Sequence, residues 1–150
     1  MKILSSFFVT CIIVLSYSCN KTSINGPMNV SEVYIYTDQA NTKCTEKIKN
    51  ETKEIVLTGF IDKSNINVKN KCFDVFEGQD NAMSKRIQII ITDNSKIILD
   101  KILKKLGKVG ENEFIKIKIK GIIIGKQLYI NGGCIMGTYI TISNLNCITF

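Results

Sequence analysis

Hydrophobic and polar positions change period several times along this chain, and each change predicts an element. In "KEIVLTGFIDK", Ile55, Leu57 and Gly59 alternate with Val56, Thr58 and Phe60, the period of a strand. "KCFDVFEG" predicts a second, shorter strand that Gly78 ends, and "RIQIIITD" a third, with Ile87, Ile89 and Ile91 on one face. The period then lengthens. In "NSKIILDKILKKLGK", Ile98, Leu99, Ile102, Leu103 and Leu106 recur at helical spacing, with Lys101, Lys104 and Lys105 opposite. Asn94 or Ser95 suits the helix start and Gly107 its stop. "EFIKIKIKGIIIGK" alternates again, with Ile115, Ile117 and Ile119 against Lys116, Lys118 and Lys120. A glycine-rich loop around "NGGC" follows, and "GTYITISNLNCITF" predicts the last strand. Ahead of all these, Ser31 as cap and Ala40, Cys44 and Ile48 at four-residue spacing predict a helix somewhere in 30–50.

Two strands carry a glycine after an alternating run, "IVLTGFI" and "IKIKGII". Glycine inside a strand marks a bend, and a small closed barrel needs such corners so that one strand can serve two sides. The predicted fold is mainly β: a five-stranded OB-fold barrel with a helix between strands 3 and 4 and an additional N-terminal helix.

The chain resembles the small exported OB-fold domains called tRNA-anticodon-binding-like, found in many bacterial lipoproteins. The likeness rests on "YTDQANTKC", "VLTGFI", "IKIKGIIIGK" and "LNCI", and covers about residues 31–148. It implies a fold shared with nucleic-acid binders and no particular reaction, because fold does not imply function.

The leader changes the picture of location. Met1 and Lys2 precede an apolar run from Ile3 to Leu15, about 13 residues, where a membrane crossing needs roughly 20. This pattern predicts a secretory signal over 1–18, and residues 19–30 read as a polar tether before a domain at 31–150. Ser16 and Ser18 stand three and one residues before Cys19, small enough for cleavage just ahead of it. The segment resembles a relaxed bacterial lipobox, with Leu15 one residue further back than usual, which implies acylation of Cys19. The expected address is the bacterial cell envelope, anchored through lipid and facing away from the cytoplasm, on an outer-membrane or periplasmic side.

Cysteine count supports that reading. Of six cysteines, Cys11 leaves with the leader and Cys19 takes lipid, so Cys44, Cys72, Cys134 and Cys147 remain as an even set. They are candidates for two disulfides in an oxidising compartment. Cys134 and Cys147 are placed at opposite ends of one extended strand, too far apart to join. Two pairings stay open: Cys44–Cys147 with Cys72–Cys134, the preferred one, or Cys44–Cys134 with Cys72–Cys147.

The chain has 20 basic and 13 acidic residues, a net charge of +7 and no histidine. Lys116, Lys118 and Lys120, about 6.8 Å apart along a strand, are candidate polyanion-binding residues, although a lysine row also serves as a solvated, edge-protecting face. Histidine-dependent triads and metal sites are excluded, and no P-loop is complete around "NGGC". No catalytic residue, metal or other cofactor is predicted. The expected role is therefore non-enzymatic: binding a protein or glycan partner through loops 78–85 and 130–137. The alternative is a secreted binder of nucleic acid or another polyanion through the lysine face.

Overall fold

The computed structural model describes residues 26–80, 82–110 and 113–150. The proposed leader, Cys11 and Cys19 lie outside the described residues. Among the described residues no helix is long and apolar enough to cross a membrane.

Among the described residues seven strands form one mixed sheet: β1 (Glu54–Ile61), β2 (Ile66–Asn67), β3 (Cys72–Phe76), β4 (Arg86–Ile91), β5 (Ile115–Ile130), β6 (Gly133–Ile142) and β7 (Ile148–Thr149). Five of them close a ring in the order β1-β3-β4-β6-β5 and back to β1. All neighbours in the ring are antiparallel except β4 and β6, which run parallel from Gln88↔Tyr139 to Ile91↔Ile142. The short β2 adds to β3, and β7 to β5.

Both mid-strand glycines sit where a strand changes partners. β1 runs beside β5 along its whole length, yet also meets β3 at Phe60↔Phe76. Next to that crossing is Gly59, where an added Cβ would lie 2.4 Å from the Phe76 carbonyl oxygen and 2.5 Å from a Val75 methyl. Gly121 plays the same part on β5, which there passes from β1 to β6. A Cβ on it would lie 2.4 Å from an Ile140 methyl. The strands approach so closely at these corners that only hydrogen fits.

Inside the ring the alternating faces meet in one core. Ile55, Leu57, Phe73, Val75, Ile87, Ile89, Ile117, Ile119 and Ile140 are all at most 1% exposed. Helix α2 (Ser95–Leu106) closes one end with Ile98, Leu99, Ile102 and Leu106, and turns its lysines outward. Asn94 is its N-cap residue and Gly107 its C-cap.

The N-terminal helix differs from expectation. Helix α1 is Val30–Thr37, and it ends where Asp38 turns left-handed and donates its backbone N–H to Ile35 and Tyr34 carbonyls. Ala40 and Cys44 therefore lie in turns beyond it, not on its face. The true buried face is Val30, Val33 and Thr37. The start is fixed by a reciprocal cap, Glu32 N–H to the Asn29 side chain and Asn29 N–H to Glu32. Met28, ahead of α1, forms a parallel bridge to Leu57 on β1.

The "NGGC" segment is also corrected. β5 and β6 form one long hairpin joined by Asn131 and Gly132 alone, with φ of 50° and 78°. Positive φ at both central residues belongs to the tight turn that matches strand twist. Gly133 to Gly137 are already strand, not loop. β6 stops at Ile142, Cys147 belongs to a short 3-10 turn (Leu145–Cys147), and the separate β7 follows it. The expected single strand from Cys134 to Cys147 is thus absent.

Candidate functional site

A broad opening lies on the outward face of β3 and β4, under the segment joining β1 to β3. Its volume is about 750 Å³, and its walls include Ser64, Asn65, Asn67, Asn70 and Lys126. On the floor lie Cys72, Asp74, Gln88 and Ile90, placed there by register: Cys72 faces Ile90 and Asp74 faces Gln88. A second cavity of about 250 Å³ continues from it, sharing Asp74 and Gln88 and adding Tyr34, Arg86, Leu128 and Tyr139. It opens where β4 and β6 diverge, because their pairing begins only at Gln88↔Tyr139.

The wall segment is braced from within. Asp62, 4% exposed, accepts hydrogen bonds from Ser64 Oγ at 2.9 Å and from Asn65 N and Nδ2 at 3.1 and 2.6 Å. Further along, Asn67 Oδ1 accepts from Asn70 N at 2.9 Å. Lys71 then takes a positive φ of 52°, and its carbonyl accepts from Ile91 N. These bonds hold the asparagines over the floor. The opposite wall is tied as well: the Tyr34 hydroxyl donates to the Arg86 carbonyl. The Lys126 ammonium lies 5.4 Å from the centre of the Tyr139 ring, within cation–π range.

Asp74 is the electrostatic centre. Its side chain is 17% exposed, and desolvation raises its pKa above the usual carboxylate range. Arg86, 3.6 Å away, and a hydrogen bond from Gln88 act the other way without overcoming that cost. The Cys72 thiol is pushed up by burial and then by the Asp74 charge, with Lys126 opposing. The Tyr139 phenol is raised for the same first two reasons. The site therefore keeps its groups in their neutral forms more than water would. That suits hydrogen bonding and is the opposite of what an activated thiolate requires. Among the described residues no three of His, Cys, Asp and Glu converge where they could hold a metal.

The sequence-predicted residues fall elsewhere. Lys116, Lys118 and Lys120 do share one outward face, on β5 beside Phe60, Thr58 and Val56. None of the three lines either cavity. Lys120 is ion-paired with Glu54 at 3.1 Å, so the row presents fewer charges to a polyanion than it spells in sequence. The expected 78–85 loop is held to α1 at its ends, where Ser31 Oγ donates to Glu77 and accepts from Lys85. None of its described residues lines either cavity. The hairpin contributes Gly137 from the expected 130–137 segment, and Leu128 from β5.

The cysteines are re-paired. Cys44 joins Cys134, with Cα atoms 5.6 Å apart, which replaces the preferred Cys44–Cys147 and Cys72–Cys134 pairs. The reason is geometric: on the hairpin strand paired with β6, Gln127 Nε2 donates to the Cys44 carbonyl at 3.0 Å, which brings Cys44 alongside Cys134. Cys72 lies on the groove floor and is a buried free thiol. With Cys72 free, the Cys72–Cys147 half of the alternative does not form either, so the four cysteines do not close into two pairs among themselves as the even count predicts.

Sequence reading missed the wall at 64–70. Its signal was present in "DKSNINVKNK", a run rich in Asp, Ser and Asn that favours side-chain-stabilised turns and offers amides at Asn65, Asn67 and Asn70. Comparison with known protein families and with curated proteins gave no match.

Proposed function

We propose that the five-strand ring is an OB-type barrel, and that the chain is a lipid-anchored, non-enzymatic binding domain of the bacterial envelope. Its working surface is the groove over Asp74 and Gln88. Support for the fold comes from the ring order, the parallel β4–β6 pair and the place of α2 between the third and fourth long strands. The observation that carries the function is the joining of two cavities through Asp74 and Gln88 on one outward sheet face. Ligand sites are typically concave, largely pre-formed and furnished with a few convergent polar groups. The raised thiol and carboxyl pKa values favour recognition over nucleophilic chemistry. Acylation of Cys19 supplies the anchor, and the partner is a protein or glycan of the envelope.

The rival is a polyanion binder acting through Lys116 and Lys118, both exposed. One experiment separates them. Binding of the mature chain to envelope fractions is compared for Asn67→Ala with Gln88→Ala and for Lys116→Glu with Lys118→Glu. Groove recognition predicts loss in the first pair, retention in the second and a shallow salt dependence. Loss in the lysine pair with a steep salt dependence overturns it, because phosphate neutralisation releases counterions.

A further inference from the structure

The groove's lining narrows the class of ligand. A molecule lying across both cavities crosses β2, β3, β4 and β6, and three strand spacings make that path about 14 Å. Along it stand three kinds of polar group. Asn67 and Gln88 both donate and accept, Asp74 as a carboxylate only accepts, and Lys126 only donates.

A phosphodiester presents acceptors alone and so offers the Asp74 carboxylate no donor. An apolar peptide face would leave amides and carboxylate without partners on desolvation. Ligand hydroxyls, which donate to Asp74 and exchange bonds in both senses with Gln88 and Asn67, satisfy all of them. The half-buried Tyr139 ring lies beside that row, paired with Gln88 in register. Lys126 reaches over it, and Lys69 stands on the first cavity's wall.

We infer that the joined cavities bind a hydroxyl-rich oligosaccharide held by Asp74, Gln88 and Asn67, with Lys69 and Lys126 favouring sugars that bear a carboxylate. This rests on the groove being the binding surface. The test is a nuclear magnetic resonance titration of the labelled mature chain with three probes: a galacturonate tetramer, an N-acetylglucosamine tetramer and a short oligothymidine. Saturable shifts at Asn67, Gln88 and Tyr139, strongest with galacturonate, are expected. Gln88→Ala together with Asn67→Ala should weaken binding at least about tenfold, with resonances of the Lys116–Lys120 face unchanged as the control for folding. Shifts in the groove with oligothymidine alone overturn the saccharide while leaving the groove in place. Saccharide shifts confined to Lys116 and Lys118 overturn both. Absence of any saccharide response at millimolar concentration overturns the assignment.

Discussion

At the scale of single residues, two glycines and one carboxylate carry the most. Gly59 and Gly121 were legible in the sequence because glycine after a strict alternation has a specific use in a closing sheet. Their neighbours confirm it, since a Cβ on Gly59 would meet backbone. Gly59→Val should therefore cost about 1–3 kcal/mol or more, read as a lowered denaturation midpoint. Asp74 was not legible, because its role depends on which face of β3 turns outward and what covers it. Its sign can be worked out. Desolvation raises the folded-state pKa above the ordinary value, so the favourable contribution exists only where the group is protonated. It is full below the ordinary carboxylate pKa and is lost as pH rises through the folded value. Asp74→Asn should thus melt higher than the parent at neutral pH, and the gap should close in acid. The same variant should bind less well, which marks a residue kept for function at a cost in stability.

Among the elements, the long β5–β6 hairpin shows what patterning can and cannot say. Alternation foretells both strands, but the glycines of "NGG" suggest a longer loop than the two residues that join them. The Asn-Gly pair was the better guide, since two residues of positive φ are what a tight hairpin asks for. The hairpin tip stands beyond the ring and exposes Tyr129, Ile130 and Ile135. Side chains hold its edges: Glu51 accepts from Gly125 N at 3.0 Å, and Gln39 from Thr138 N at 3.0 Å. The Cys44–Cys134 bond ties it to the segment after α1 across a sequence separation of 90. Cys44→Ser should lower stability by about 2–4 kcal/mol and speed amide exchange in 126–137, measured by mass-detected hydrogen exchange. Unchanged exchange there would show that the side-chain contacts alone fix the hairpin. The first helix was misplaced for a related reason: four-residue spacing at Ala40, Cys44 and Ile48 mimicked a helical face, while Asp38 had already ended α1.

For the whole molecule, local periods foretell the order of the long strands and α2 along the chain, but not the site. A groove made from one segment's asparagines and another strand's outward face requires the ring to be closed first. The lysine row was conspicuous in sequence because it is local, and it lies away from the cavities. Location is a separate matter, and a non-reducing mass map of the natural protein tests it. The anchored reading predicts an acylated Cys19 at the new terminus, whereas Cys19 found in a disulfide contradicts it.

The most direct test of the groove is photo-crosslinking in living cells. A benzophenone amino acid placed at Asn67, on the groove wall, or at Lys118, on the lysine face, reacts with C–H bonds of proteins and sugars alike. The groove account predicts a discrete adduct from position 67 that Gln88→Ala abolishes, and none from position 118. A discrete adduct from 118 alone would contradict it.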